Sequence, residues 1–250
     1  MSFLSRLFGG KEEKLEAADL SVLGTDVHSH FIPGIDDGAK TMEDSLALLQ
    51  EMQLLGYKKV ITTPHIMSDF YRNTPEIILS GLDAVRKAAQ QAGLHIQIEA
   101  AAEYYLDFDL EDKIKNKELL TFGNSYVLFE MPFIGEPQNL SRVVFEMQMA
   151  GYKPVLAHVE RYTFWHNQWE KIEMMHDKGV ILQLNLNSLS GHYSPATKKI
   201  AEKLIDQNMI SLLGTDCHNL NHIALLKESA KLPYLHKALK INNLLNQKLA

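Results

Sequence analysis

The chain has 250 residues, 46% hydrophobic and 22% charged, with a formal net charge of −6 and a single cysteine, Cys217. This composition is globular rather than disordered, and the acidic balance gives no electrostatic ground for a nucleic-acid partner. One thiol excludes a disulfide framework or a cysteine-rich zinc site within the chain, and it suits a reducing, cytoplasmic setting.

At the N-terminus, "MSFLSRLFGGKEEK" is interrupted by Ser5 and Arg6, so it lacks the apolar stretch of ~7–15 residues that marks a secretory signal. No apolar run in the chain approaches the ~18 residues of a membrane span. Residues 1–20 are expected to form an N-terminal extension. Its Phe3, Leu4, Leu7 and Phe8 could make one face of an amphipathic turn, and residues 1–10 could then touch a membrane surface or a partner. Residues 21–250 read as one domain.

From residue 20 onward, strand-like and helix-like stretches alternate. "LSVLGTDVH" is the first expected strand. In "TMEDSLALLQEMQLLG", Met42, Leu46, Leu49 and Met52 recur at helical spacing, with Thr41 and Asp44 as start signals and Gly56 as a stop. "KKVITTPH" is the second strand. A helix follows with Thr74 as N-cap, Pro75 in its first turn and Gly93 past its end. "LHIQIEAAAE" is the third strand, and a brief helix is expected within 107–118. "SYVLFEMP", "KPVLAHVE", "GVILQLNLNS" and "MISLLGTDCH" supply strands four to seven. The intervening helices are expected over 138–150, 165–178 and 195–208, with a helical tail from about 222. Seven strands alternating with helices imply an α/β protein with a mostly parallel sheet.

The ionisable residues fall at one end of these strands. His28 and His30 close strand one, His65 strand two, Glu103 strand three, Glu130 strand four and His158 strand five, while Asp216 and His218 close strand seven. Strand six offers only Asn185 and Asn187. In an α/β barrel the strand C-termini meet at the active-site face, so residues far apart in sequence converge. In "HSH" the strand period of two should turn both imidazoles to one side. Imidazole and carboxylate together suit manganese, iron or zinc. Adding one aspartate of "DDG", either Asp36 or Asp37, gives nine candidate ligands. A mononuclear site uses three or four, so two or three ions are expected, an arrangement suited to phosphoryl chemistry. His95, His166, His176, His192, His222 and His236 lack this placement and read as surface or structural residues.

The ordered set "DVHSH…DDG", "TPH", "HVERY" and "TDCHN", with glutamates at 103 and 130, resembles the PHP (polymerase and histidinol phosphatase) superfamily. Within it, "DVHSHFIPGIDDGAKTMEDSLALL" is most similar to the bacterial manganese-dependent protein-tyrosine phosphatases of capsular and exopolysaccharide loci. The resemblance implies a distorted (β/α)7 TIM-like barrel holding three ions. His28, His30, Asp216 and a bridging Glu103 would hold the first. Glu103, Glu130 and His158 would hold the second, and Asp37, His65 and His218 the third. Manganese is the implied metal, with iron, zinc or magnesium as alternatives. Asp37 is taken as the ligand of the "DDG" pair, leaving Asp36 to orient a neighbour or cap the turn at Gly38. Arg161 matches an arginine that holds the phosphate, although an ion pair with Glu160 would also account for it. Relatives often carry a second arginine near the position of His222, and His222 would then serve as the donor instead.

The implied reaction is hydrolysis of phosphotyrosine by a metal-bound hydroxide. The implied partner is the tyrosine-rich tail of a tyrosine autokinase that controls capsule or exopolysaccharide synthesis. The alternative activity is that of a small-molecule phosphatase such as histidinol-phosphate phosphatase. A nuclease would want a basic groove, and a pure binding scaffold would have no use for the intact ligand set. A thiol mechanism is disfavoured because Ile223, not arginine, stands six residues after Cys217.

Overall fold

The computed structural model describes residues 15–249, so the apolar face expected around Phe3–Phe8 lies outside the described residues. The first helix, α1 (Met42–Leu54), starts as its sequence dictates. Thr41 accepts the Asp44 N–H while Asp44 accepts the Thr41 N–H, a reciprocal capping box. The second, α2 (Pro75–Gln91), begins at Thr74 and buries Ile78, Leu82, Val85 and Ala89 along one stripe. The remaining helices are α3 (Leu110–Asn116), α4 (Leu140–Met149), α5 (Trp169–Asp177), α6 (Pro195–Asp206), α7 (Leu220–Ser229), α8 (Pro233–Ala238) and α9 (Leu245–Lys248). None of the described helices is long and apolar enough to cross a membrane.

The strands are β1 (Thr25–Val27), β2 (Lys59–Thr62), β3 (His65–Ile66), β4 (Gln97–Ala100), β5 (Glu103–Tyr105), β6 (Tyr126–Glu130), β7 (Lys153–Leu156), β8 (Ile181–Asn185) and β9 (Leu212–Gly214). Two expected strands are each broken in the middle. "KKVITTPH" splits at Thr63–Pro64 into β2 and β3, and "LHIQIEAAAE" splits at Ala101–Ala102 into β4 and β5. The first half of the expected first strand, Leu20–Leu23, is instead a 3-10 turn capped by Asp19.

All pairings between named strands are parallel, in the orders β1–β2–β4 and β3–β5–β6–β7–β8–β9. Backbone bonds carry the curl across the breaks: Ala101 N–H donates to Thr62 O and Glu103 N–H to Pro64 O. The ring closes where Asp216 N–H donates to His28 O and His30 N–H to Cys217 O. Lower on this seam, the buried Asn246 side chain donates to Thr25 O and Leu213 O and accepts the Leu213 N–H. The result is the expected distorted barrel of parallel strands. An outer core fills the space between strands and helices. Inside the ring, Val27, Ile61, Ala101, Leu128, Val155, Ala157 and Leu212 pack on Phe122 as an apolar layer.

Candidate metal centre

Directly above that apolar layer the ionisable residues converge. Val27 points into the ring, so strand alternation would send His28 outward. It does not, because His28 has φ 96°. The same re-aiming occurs at His158 (φ 33°), next to the inward Ala157, and at Asp216 (φ 48°) beyond β9. Left-handed backbone at a non-glycine residue costs of order 1–3 kcal/mol. The two imidazoles of "HSH" thus do face one site, their ring centres 5.6 Å apart, but through a backbone twist and not through the strand period.

Four overlapping groups have ligand atoms within 4.8 Å of one another: His30, Asp37, His65 and His218; His28, His30 and Asp216; His28, Glu103 and His158; His65, Glu103 and Glu130. All nine expected ligands are therefore brought together. Glu103 sits at the centre, 3.0 Å from His28 Nε2, 3.1 Å from His158 Nε2 and 3.2 Å from His65 Nδ1. Asp37 lies 3.5 Å from His65 Nε2 and 3.4 Å from His218 Nε2. Asp36 plays both supporting parts expected of it: it lies 2.8 Å from His30 Nδ1 and accepts the Gly38 N–H. The glycine of "DDG" is required by space, since a Cβ on Gly38 would stand 2.1 Å from His30 O.

The hydrogen bonds around the rings fix which nitrogen faces inward. His28 Nδ1 donates to Gln183 Oε1 at 3.1 Å, His30 Nδ1 to Asp36, and His218 Nδ1 to the Asp216 carbonyl at 2.9 Å. Each ring therefore turns its Nε2 towards the carboxylates, the nitrogen that can bind a metal once it gives up its proton. Among the described residues His30 Nε2 is buried without a hydrogen-bond partner, a costly condition that a bound cation would relieve, and His65 Nδ1 lies 3.2 Å from both Glu103 and Glu130. Burial on its own would raise the Glu103 and Asp216 carboxyls, but the surrounding histidines hold both well below the usual range. His28 shows the reverse balance: burial opposes its proton, yet Glu103 and Asp216 raise its pKa to about 9. The residues present fit a cluster of divalent cations.

A cavity of about 480 Å³ opens onto these groups, with Arg161 and Phe133 in its wall. Arg161 does not pair with Glu160. Its Nη1 donates to Asp216 Oδ2 at 3.0 Å, and its guanidinium lies 4.7 Å from the Phe133 ring centre and 4.2 Å from that of Tyr193. Glu160 is buried instead, accepting from Asn185 N–H and the Ser188 hydroxyl. His222 lines the same cavity and its Nδ1 donates to the Asp216 carbonyl at 3.0 Å; burial lowers its pKa and favours the neutral ring. His192 and His222 meet edge to face at 5.6 Å, while His95, His166, His176 and His236 belong to none of the four groups. Cys217 packs in the outer core, away from the cluster.

Four residues at the site escaped the sequence reading. Gln183 accepts from both His28 and the His158 N–H. Its signal was present: Gln183 and Asn185 alternate with Leu182, Leu184 and Leu186, so strand six presents amides to the interior. Gly214 belongs with it, because a Cβ there would stand 2.6 Å from Gln183 Nε2 and from Val27 O. Phe133 and Tyr193 lie on loops with no periodic signal.

The family described as "Capsular polysaccharide synthesis, CpsB/CapC" matches residues 24–240. Tyrosine-protein phosphatase CpsB of Streptococcus agalactiae is 28% identical over 222 residues, covering 86% of this chain and 88% of that protein. Tyrosine-protein phosphatase YwqE of Bacillus subtilis is 26% identical over 196 residues, covering 78% and 77%. A crystal structure from work on B. subtilis YwqE and Streptococcus pneumoniae CpsB, described as metal-dependent tyrosine phosphatases, superposes with a TM-score of 0.80 at 25% identity, covering 90% of this chain and 94% of that one. The zinc-containing histidinol phosphate phosphatase of Lactococcus lactis shares the fold at a TM-score of 0.52 and 15% identity, covering 84% and 94%. On the extent of the match and the geometry of the site, the chain belongs to the CpsB/CapC family.

Proposed function

We propose that this protein is a metal-dependent tyrosine-protein phosphatase. The observation that carries the reading is a set of nine imidazoles and carboxylates in four overlapping groups, under a cavity with a guanidinium in its wall. By family resemblance, His28, His30, Asp216 and Glu103 would hold one ion, Glu103, Glu130 and His158 a second, and Asp37, His65 and His218 a third, with manganese the metal. Ions held there would supply Lewis-acid charge to the phosphoryl oxygens and acidify the water needed for hydrolysis. The chain's own residues do the rest. Arg161, steadied by Asp216, Phe133 and Tyr193, offers its remaining N–H groups to the phosphoryl oxygens. Gln183 and Asp36 keep the His28 and His30 rings turned inward. His222 has its Nδ1 engaged by Asp216, so its Nε2 edge is the part available to the substrate.

The names of the relatives point to phosphotyrosine proteins as substrates and to capsule synthesis as the setting. The partner we propose is the tyrosine-rich tail of a bacterial tyrosine kinase that controls capsule or exopolysaccharide synthesis, met in the cytoplasm. The test uses purified protein loaded with manganese. It should release phosphate from p-nitrophenyl phosphate and from phosphotyrosine peptides, and chelation should abolish both activities. Arg161→Ala should lower kcat/KM by about 10²-fold with manganese content unchanged. Faster turnover of histidinol phosphate than of phosphotyrosine peptides would favour the small-molecule alternative, and full activity after complete metal removal would refute the mechanism.

A further inference from the structure

The ring of Phe133 is not explained by packing. It follows β6 on a loop at the cavity wall and is 43% exposed, among the largest apolar exposures bordering the site. Its ring meets the His158 ring at 5.5 Å and 29°, the buried Tyr162 ring at 5.6 Å and 28°, and the Arg161 guanidinium at 4.7 Å. A phenyl group left open to water costs hydration free energy unless a ligand covers it. The other aromatic wall beside Arg161 is already committed: the Tyr193 hydroxyl lies 3.3 Å from both Asp216 Oδ2 and Asn185 Nδ2. Phe133 has no polar atom to commit. A phosphoryl group held by Arg161 would therefore leave its ester substituent beside the exposed part of this ring, and flat aryl groups stack on such a ring where alkyl groups cannot.

We propose that Phe133 is the specificity-determining residue that seats the aryl group of the ester and so selects phosphotyrosine over alkyl phosphates. This rests on the phosphatase reading above. No covalent step involves the ring. It acts by contact with the leaving group, and its effect should appear as a difference between aryl and alkyl ligands.

The experiment compares wild type, Phe133→Ala, Phe133→Leu and Phe133→Tyr, all loaded with manganese. kcat/KM is measured for phenyl phosphate and for ethyl phosphate. Comparing each variant's aryl-to-alkyl ratio with that of wild type cancels the intrinsic reactivity of the two esters. Binding of phenylphosphonate and methylphosphonate is measured in parallel by calorimetry, which needs no turnover. Phe133→Ala should lower kcat/KM for the aryl ester about tenfold more than for the alkyl ester, with phenylphosphonate affinity falling more than methylphosphonate affinity. Phe133→Tyr should restore the aryl preference, Phe133→Leu should not, and manganese content should be constant. Equal losses for aryl and alkyl ligands would mean that the ring only steadies Arg161 and His158, and would overturn the proposal. An unchanged ratio would do the same. If no variant, wild type included, turns over either ester, the phosphatase reading fails, while the pair of phosphonates still decides whether the ring seats an aryl group.

Discussion

Two layers inside the barrel, contributed by its strands and the residues just beyond them, have opposite chemistry. The lower layer, from Val27, Ile61, Leu128, Val155 and Leu212, is wholly apolar and removed from solvent. The upper layer, from His28, Glu103, Glu130, His158 and Asp216, is wholly ionisable and nearly as deeply buried. Burial stabilises the first at roughly 25 cal/mol per Å². It destabilises the second unless charges pair or coordinate. The upper layer also carries the strained backbone, with positive φ at His28, His158 and Asp216. One layer is built for stability, and the other holds a reactive arrangement that the first must sustain.

The division is testable from its strongest consequence downwards. Glu103→Ala removes the carboxylate shared by two of the four groups. It should reduce phosphatase activity to background and lower bound manganese, with circular dichroism of the folded protein retained; the same is expected of His28→Ala and Asp216→Ala. Leu128→Ala, two residues before the candidate ligand Glu130, should act in the opposite sense. Denaturant unfolding should show a loss of about 2–5 kcal/mol, while manganese per folded chain stays at the wild-type value. Significant metal loss in Leu128→Ala would show that the layers are one cooperative unit.

Gln183→Leu probes the border between the layers, since it keeps the side-chain size but removes the acceptor for His28 and for the His158 N–H. Metal affinity should fall about 10–100-fold, measured by competition with a chelator. The smallest effect concerns Glu160, whose carboxyl burial raises from 4.5 to about 7. Between those values the folded chain keeps a proton that the unfolded chain gives up, so Glu160 makes stability fall as pH rises through that window. Glu160→Gln should flatten that slope in unfolding curves collected across the window, and an unaltered slope would assign it to other groups.

The same contrast explains what was legible in the residues alone. Helix starts at Thr41, Thr74 and Ser194 follow from local chemistry that neighbours a few residues away complete. Elsewhere local reading failed. Leu20–Leu23 has strand-like residues yet forms a 3-10 turn, because Asp19 caps it and Gly24 turns the chain at φ 70°. Around Arg161, adjacency in sequence suggested Glu160 as the partner, but the 3-10 turn of Val159–Arg161 sends neighbouring side chains to different sides.

The sequence by itself determined the alternation of helices and strands and the eight ionisable residues at strand ends. These rest on periodicity, caps and motif spacing, which act over a few residues. Only the tertiary structure decided that His28, His158 and Asp216 enter the barrel through left-handed backbone, that Gln183 holds two of the histidine segments, and that Phe133 stands free beside Arg161. The physical reason is distance along the chain. Each of these features is set by contacts between strands that meet only when the sheet closes, and no local rule reports which way a side chain turns once the strand period is broken.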